Sequence, residues 1–167
     1  GFPFKGFLYA GLMLVDGKPF VIEFNVRMGD PETQVVLPLL QSSLYDLIYK
    51  ATRQELDDCK IKNSDKTSVT IVLASNGYPN EYKKGQKILI DDDFLVFHAG
   101  TIKNKNRMIV NGGRVLNVVG FGNDLDDAIA DAYENVKKIQ FEGMYFRKDI
   151  GKKGLTYKSK NILEDKN

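Results

Sequence analysis

An Asp16-Gly17 pair between two apolar runs is the feature that most constrains the fold of this chain. Residues 7–15 and 20–26 both favour strands, and Asp-Gly between such runs is typical of a tight antiparallel turn. Side chains alternate along a strand. One face should therefore carry Phe20, Ile22, Phe24 and Val26, and the other Val21, Glu23, Asn25 and Arg27. The sequence thus predicts a β-hairpin near its start.

Two helices are expected after this hairpin. Asp30 suits the capping position, Pro31 the first helical position, and Glu32 the positive end of the helix dipole. Pro38 lacks an N–H and clashes with the preceding turn, so it should end or kink this helix. Apolar spacing predicts a second helix over about residues 43–53.

A polar stretch, residues 54–66, separates these elements from a mainly β second half. The predicted strands there are 67–75, 87–90, 94–98, 107–110 and 114–121, with Asn111-Gly112-Gly113 as a turn between the last two. Residues 124–139 form an amphipathic pattern, with acids in the first turn and Lys137 and Lys138 in the last. The expected fold class is therefore α/β (α+β), with a small, mostly antiparallel sheet and one long helix in the second half.

Composition narrows the chemistry. The 167 residues carry a net charge of +2, which gives no general electrostatic case for nucleic acid or membrane partners. One cysteine, Cys59, excludes an internal disulfide and fits a reducing cytoplasm, and one histidine, His98, argues against a structural zinc cluster. Catalysis would therefore rest on carboxylates, amides, arginines and backbone N–H groups, which suit hard metals and anionic substrates.

The segment from Glu23 to Glu32 carries the strongest functional pattern. Glu23 and Asn25 lie two residues apart on one strand, so their oxygens point the same way and suit Mg²⁺. Arg27 continues that face, where it could hold a phosphate or carboxylate. The alternative is a solvated strand face followed by a simple capped helix start. Spacing alone leaves both interpretations open.

Longer motifs add a resemblance. PFKGFLYAGLM, VIEFNVRMGDPETQVVLPLL, HAGT, NGGRVLNVVGFG and YFRKDIG resemble, in order from residue 3 to about 151, the C-terminal part of the phosphoribosylamine–glycine ligases (glycinamide ribonucleotide synthetases). These are ATP-grasp enzymes of purine synthesis. The E-x-N-x-R element is common to ATP-grasp enzymes, whereas GDPETQVVLP, GGRVL and RKDIG are more specific. The resemblance implies the end of an ATP-grasp domain over residues 1–66, the ligase's C-terminal domain over 67–151 and a polar tail over 152–167.

The resemblance also implies a reaction and roles for residues. ATP, glycine and 5-phosphoribosylamine would give glycinamide ribonucleotide, ADP and phosphate. Glu23 and Asn25 would bind Mg²⁺ or Mn²⁺, and Arg27 would contact the transferring phosphoryl group or the acyl phosphate. Substrate contacts would come from Asp30, Glu32, Gly113 and Arg114. Either Asp30 or Glu32 would bind the ammonium of the substrate glycine, and Gly113 and Arg114 would approach the ribose phosphate.

Several alternatives stay open at this point. The turn before Arg114 is equally well read as a plain hairpin turn with a surface arginine. Arg147 and Asp149 either close an active site or only pair with each other, and His98 has a structural alternative. The start at Gly1-Phe2-Pro3-Phe4 suggests a piece of a longer protein, inactive without the remainder of the parent polypeptide. The rival functions are another ATP-grasp carboxylate–amine ligase or carboxylase, and a non-catalytic binding module.

Overall fold

The backbone divides into two compact units, with the boundary between Ser64 and Asp65. The structure, a computed structural model, describes residues 2–91 and 93–156. The expected tail from residue 157 onward, including Lys158 and Lys160, lies outside the described residues.

The first unit opens with the predicted hairpin. Strand β1 (Tyr9–Val15) pairs antiparallel with β2 (Lys18–Asn25) around Asp16-Gly17. Their register shifts once: Gly11 pairs with Glu23 and Leu12 with Val21, so Ile22 is an additional residue of β2, a β-bulge. The alternation predicted over 20–26 is therefore interrupted at Ile22. Glu23 and Asn25 lie beyond the bulge and keep their common face.

The hairpin has no buried face. The neighbouring residues Leu12 and Met13 point to opposite faces of β1, and they are 54% and 53% exposed. Large apolar side chains of β2 are exposed on both sides as well, namely Phe20, Val21, Ile22 and Phe24. A two-stranded ribbon that buries neither face gains little from the hydrophobic effect.

The helix after the hairpin begins later than predicted. Helix α1 (Thr33–Val36) has Glu32 at its N-cap, and a 3-10 helix (Leu37–Leu39) containing Pro38 follows it. The expected cap at Asp30 and first position at Pro31 are therefore wrong. Thr33 donates its backbone N–H to the Gly29 carbonyl, so residues 29–33 form a turn ahead of the helix. The Asp30 carboxylate instead accepts a hydrogen bond from Gln34 Nε2 at 3.1 Å.

The second helix agrees with its prediction. Helix α2 (Leu44–Arg53) is capped by Ser43, whose Oγ accepts a hydrogen bond from the Asp46 N–H at 3.2 Å. The chain after α2 returns to the end of the 3-10 helix, where Asn63 forms an antiparallel bridge with Leu40.

The second unit is built on a four-stranded antiparallel sheet in the order β10-β3-β8-β5. Its members are β3 (Thr67–Ser75), β5 (Val96–His98), β8 (Arg114–Gly122) and β10 (Met144–Tyr145). The long strands β3 and β8 pair along almost their whole length, from Thr67 opposite Gly122 to Ala74 opposite Arg114. The mainly β character of this half is confirmed.

Helix α3 (Leu125–Val136) packs on β3 and β8 and completes the core. The fully or almost fully buried apolar residues are Ile71, Leu73, Val110, Val115, Leu116, Val118, Val119, Ala128, Ala132 and Val136. The N-cap Asp124 accepts a hydrogen bond from the Asp127 N–H at 3.0 Å. The predicted continuation to residue 139 is wrong, because the helix ends at Val136 and Ile139 belongs to β9 (Ile139–Gln140), which pairs with β4 (Leu89–Ile90).

A second small hairpin was only half predicted. Strand β7 (Arg107–Val110) pairs with β6 (Thr101–Asn104), a polar strand that the sequence pattern does not indicate. The Asn111-Gly112-Gly113 segment therefore does not close a hairpin between β7 and β8, because β8 pairs with β3 and β5 instead.

The last described residues are ordered beyond the predicted domain end. Residues 152–156 are helical, and the Leu155 N–H donates to the Gly151 carbonyl at 3.2 Å. Within residues 2–91 and 93–156, every helix falls short of the length and apolarity that a membrane span requires.

Candidate active site

Glu23 and Asn25 come together as their spacing predicts. Asn25 Nδ2 donates a hydrogen bond to Glu23 Oε1 at 2.9 Å, so the carboxylate and the carboxamide share one face at the end of β2. Across the ribbon, Glu23 lies opposite Gly11, whose missing side chain leaves room for the stem of Glu23. Asn25 lies opposite Tyr9 and is half-buried.

A second carboxylate lies near this pair. The Tyr9 hydroxyl donates a hydrogen bond to Glu32 Oε1 at 3.3 Å, which joins β1 to the residue that begins α1. The other oxygen of Glu32 lies against the Cα atom of Gly29, where a Cβ atom would collide with the carboxylate. Gly29 is buried, so the turn after β2 fits a glycine at this position.

The electrostatics of Tyr9 show how close these groups are. The Glu32 carboxylate raises the pKa of the Tyr9 hydroxyl above its ordinary value, with smaller contributions from desolvation, the hydrogen bond to Glu32 and the charge of Glu23. Both carboxylates therefore act on one phenol. Such a site favours cations and hydrogen-bond donors.

The donor set fits a hard cation. Glu23, Asn25 and Glu32 offer carboxylate and carboxamide oxygens, which are the ligands that Mg²⁺ and Mn²⁺ take in proteins. Over the part of the chain that the structure describes, no three His, Cys, Asp or Glu side chains converge into a complete metal site. The cluster can therefore supply only part of a coordination sphere, which suits an ion held largely by substrate phosphates.

Arg27 and Asp30 lie in the turn that follows. Strand β2 ends at Asn25, so Arg27 does not continue the strand face as predicted. Its guanidinium is exposed and donates to the Met28 carbonyl at 3.0 Å, which occupies one of its five N–H donors. Asp30 bonds Gln34, as described above. Within the described part of the chain, the hydrogen bond of the Arg27 guanidinium goes to Met28 and not to Glu23 or Asn25.

Gly113 and Arg114 lie at the start of β8 in the second unit. A Cβ atom on Gly113 would collide with the ring of Tyr78, so the absence of a side chain there allows this ring to cover the backbone. Gly113 is buried, whereas Arg114 is half-buried. The structure therefore gives Gly113 a packing role, and the guanidinium of Arg114 remains the better candidate for an anion contact.

Three other predicted candidates have local partners. His98 Nδ1 lies 3.0 Å from Thr101 Oγ1. Arg147 binds Asp149 through two parallel hydrogen bonds of 2.9 and 2.7 Å. These bonds raise the pKa of Arg147 and lower that of Asp149. Of the two alternatives, the structure therefore shows that Arg147 and Asp149 pair with each other.

Two family models match the chain. The model for the phosphoribosylglycinamide synthetase C domain matches residues 68–153, more than half of the sequence. The chain belongs to this family. The model for the ATP-grasp (A) domain of phosphoribosylglycinamide synthetase matches residues 1–33, which include Glu23, Asn25 and Glu32.

Curated relatives carry the corresponding names. The chain is 43% identical to the phosphoribosylamine–glycine ligase of Chlorobaculum tepidum over 93% of its own length and 38% of the relative's. It is 45% identical to the bifunctional purine biosynthetic protein purD of Dictyostelium discoideum, over 94% of its own length and 21% of that protein. The chain therefore spans well under half of the phosphoribosylglycinamide synthetase relatives that it matches.

Solved structures agree with the fold. The crystal structure of phosphoribosylamine–glycine ligase from Thermotoga maritima matches with a TM-score of 0.77 and 37% identity, covering 85% of this chain and 36% of that one. The Kluyveromyces lactis urea carboxylase matches with a TM-score of 0.58 at 13% identity, which shows a common fold and no more. The predicted mixed α/β class is thereby confirmed for this member of the synthetase family.

Sequence reasoning missed one residue of the cluster. Tyr9 is not among the site residues that the sequence predicts, yet its hydroxyl contacts Glu32. The available signal was the hairpin register, because a two-residue turn at Asp16-Gly17 places the start of β1 beside the end of β2. The bulge at Ile22 shifts that register by one residue, so the pairing of Tyr9 with Asn25 was not predictable from the turn alone.

Proposed function

We propose that this chain supplies the C-terminal part of an ATP-dependent ligase that joins 5-phosphoribosylamine and glycine. The products are glycinamide ribonucleotide, ADP and phosphate. The observation that carries the proposal is the hydrogen-bonded Glu23–Asn25 pair beside Glu32, in a segment matched by an ATP-grasp family model. The names of the relatives support the choice of substrates.

Glu23 and Asn25 are the proposed ligands of Mg²⁺ or Mn²⁺. When bound, such an ion offsets the charge of the ATP phosphates and positions the phosphoryl group for transfer. Asn25 donates its amide N–H to Glu23, which holds the two side chains side by side. The Glu23 oxygen that takes no part in that bond and the Asn25 carbonyl oxygen then remain available as oxygen donors.

Arg27 has the proposed catalytic role. Its guanidinium lies two residues after Asn25 in an exposed turn, and the bond to the Met28 carbonyl leaves most of its donors available. A planar guanidinium binds phosphate or carboxylate oxygens in bidentate fashion. Arg27 would therefore stabilise the negative charge that develops on the transferring phosphoryl group or the acyl phosphate.

Four further residues are proposed to contact substrate. Glu32 is the better candidate for the ammonium of the substrate glycine, because Tyr9 and Gly29 fix its carboxylate in place. Asp30 lies in the same turn but is engaged by Gln34. Arg114 is proposed to contact the ribose phosphate, with Gly113 beside it under the ring of Tyr78.

The proposed domain organisation follows the same family. Residues 1–66 would form the end of the ATP-grasp domain, 67–151 the C-terminal domain and 152–167 a polar tail. The family matches at 1–33 and 68–153 support these limits, as does the division of the backbone after Ser64. A cytoplasmic location is part of the proposal and is supported by the single cysteine.

The partner of the hairpin is proposed to be the remainder of the parent polypeptide. Both faces of β1 and β2 expose large apolar side chains. Further residues of an ATP-grasp domain, packed on the hairpin, would cover these side chains. Nearby, the Gln34 side-chain oxygen is buried and has no hydrogen-bond partner among the described residues. We therefore expect the isolated chain to be inactive, because the nucleotide-holding part of the domain has to come from elsewhere.

The test is ADP release by the chain extended to the length of its relatives, with ATP, Mg²⁺, glycine and freshly generated 5-phosphoribosylamine. We expect turnover that requires both co-substrates and falls at least a hundredfold in Glu23→Ala, the size of effect typical for a lost electrostatic group. The matched control is Asp57→Ala, which removes an exposed carboxylate from the same unit and should leave turnover unchanged.

Other outcomes identify the rival functions. ATP hydrolysis that depends on a different acid or amine would indicate another ATP-grasp carboxylate–amine ligase or a carboxylase. A folded, extended protein without turnover that still binds nucleotide would indicate a non-catalytic binding module. Glycine-dependent turnover by the isolated 167-residue chain would contradict the expected inactivity.

A further inference from the structure

One stretch of the second unit has a one-sided charge. Residues 94–123 contain no Asp or Glu, although the chain has 22 of them, and they include Lys103, Lys105, Arg107 and Arg114. Three of these four cations belong to the β6–β7 hairpin or its turn. The hairpin is therefore cationic around its turn.

The fold adds another cation to this hairpin. Residues 85–88 run along the free side of β7: the Ile88 N–H donates to the Met108 carbonyl at 2.9 Å, and the Val110 N–H donates to the Gln86 carbonyl at 2.9 Å. Lys87 forms a bridge with Ile109, so their side chains lie on the same face as that of Arg107, two residues away. The opposite face carries Ile88, Met108 and Val110, which pack into or against the core.

The outward face borders a cleft of about 710 Å³. Its polar lining consists of Lys87, Lys105, Arg107, Asn104 and Asn106, and Gly85 and Ile109 complete the lining. Lys105 has a positive φ of 53°, a conformation that places it in the tight turn between β6 and β7. Three cations and two amides thus surround one space, and the described residues place no carboxylate in its lining.

These cations differ from others in the chain. Arg53, Lys137 and Arg147 each form an ion pair with a nearby carboxylate. Lys87, Lys105 and Arg107 make no side-chain hydrogen bond or ion pair with any residue in the described ranges 2–91 and 93–156. Like charges that gather without a counter-charge repel one another, and an anion in the cleft would relieve this repulsion.

We propose that the cleft beside the β6–β7 hairpin binds a small anion with at least two phosphate groups. The Arg107 guanidinium suits one phosphate as a bidentate donor, and the two lysines suit a second as point charges. The asparagine amides supply neutral N–H donors. Among the described residues, no aromatic side chain lines the cleft, so none of them stacks on bases there and single-stranded nucleic acid is a poorer fit.

The test is calorimetric titration of the 167-residue chain with pyrophosphate at about 0.15 M ionic strength, with EDTA present so that the proposed metal site takes no part. We expect one pyrophosphate per chain. The double variant Lys105→Gln/Arg107→Gln should bind about tenfold more weakly, equivalent to ~1.4 kcal/mol. The matched control Lys18→Gln/Lys60→Gln removes the same charge from exposed positions in the first unit and should change affinity less than twofold.

Three results would overturn the proposal. Equal weakening in the control variant would mean that only net charge matters. Equal affinity for sulfate and pyrophosphate would remove the requirement for two phosphate groups. Tighter binding of a short oligothymidylate of matched charge would assign the surface to nucleic acid instead. Tighter binding of ADP than of pyrophosphate, lost in the double variant alone, would support the site and identify a nucleotide as the source of the phosphates.

Discussion

The two antiparallel ribbons of this molecule, β1–β2 and β3–β8, differ in what covers them. Strands β3 and β8 bury Ile71, Leu73 and Leu116 beneath α3. Strands β1 and β2 leave apolar side chains exposed on both faces. The comparison teaches that regular pairing and a suitable turn form a hairpin, whereas a stable unit also requires a layer packed on it. The second unit contains that layer within its own sequence.

The largest test of this difference uses two matched truncations. Leu116 is fully buried, so Leu116→Ala should lower the free energy of unfolding by about 2–5 kcal/mol through lost burial and the cavity left behind. Leu12 is 54% exposed, and Leu12→Ala should change the free energy of unfolding by less than about 0.5 kcal/mol. Urea unfolding followed by far-UV circular dichroism measures both.

The same pair sharpens the comparison in the extended protein. If upstream residues cover the hairpin, Leu12→Ala should become clearly destabilising there while the cost of Leu116→Ala stays the same. An equal cost for both variants in the isolated chain would show that the hairpin is already packed, and the contrast between the two ribbons would then be wrong.

A smaller effect is expected at the two helix caps. Asp124 caps α3, which packs on the sheet, and Asp124→Ala should cost about 1 kcal/mol of unfolding free energy. Ser43 caps α2 through a longer bond of 3.2 Å, and Ser43→Ala should cost about 0.5 kcal/mol. Asp124→Asn keeps the acceptor and is the control, so it should lie close to the native protein. If Ser43→Ala lost more unfolding free energy than Asp124→Ala, the cap of α2 would contribute more than that of α3, and this expectation would be wrong.

The smallest expected effects are on the pH dependence of stability, which should differ between the two units. Glu32 raises the pKa of Tyr9, so this contact stabilises the folded state below the ordinary tyrosine pKa and is lost as pH rises through the raised value. Arg147 lowers the pKa of Asp149, so that pair stabilises above the ordinary carboxyl pKa and is lost as pH falls through the lowered value. From these two contacts we expect a small loss of stability of the first unit in alkali and of the second unit in acid.

Titrations of single groups check these directions. In Glu32→Gln, the pKa of Tyr9 should fall towards its ordinary value, which ultraviolet absorbance of the phenolate reports against the native chain. In Arg147→Gln, the pKa of Asp149 should rise, which carboxyl chemical shifts in NMR report. Unchanged values would mean that neither contact persists in solution.

Local patterns predicted most of the secondary structure because interactions between neighbours in sequence are enough to favour a turn, a helix or a strand. The Asp-Gly turn, the apolar spacing of α2 and α3 and the long apolar runs of β3 and β8 all specify structure through neighbours in sequence. Strand β6 was missed because its polar residues gain their partner only from β7. The end of α3 was misplaced because Ile139 fits the helical spacing, yet it pairs with Ile90 across the fold.

The candidate site was predictable to a similar degree. The common face of Glu23 and Asn25 follows from strand alternation, and their hydrogen bond agrees with it. The contacts of Glu32 with Tyr9, and of Gly113 with Tyr78, join residues far apart in sequence, so no local pattern indicates them. The unpaired state of Lys87, Lys105 and Arg107 likewise depends on where the fold places carboxylates.

The bulge at Ile22 changes which face of the hairpin the residues of β2 occupy. Because it adds one residue to β2, the strand segment near the turn and the segment bearing Glu23 and Asn25 follow separate registers. Val21 and Glu23 are two residues apart, yet they face opposite sides of the ribbon, because their partners Leu12 and Gly11 are neighbours on β1. Deleting Ile22 would close the bulge and leave Glu23 opposite Gly11, so Glu23 and Asn25 would keep their present face. For anyone transplanting or redesigning this hairpin, the partner residue on β1, and not the spacing from Val21, therefore gives the face on which Glu23 and Asn25 lie.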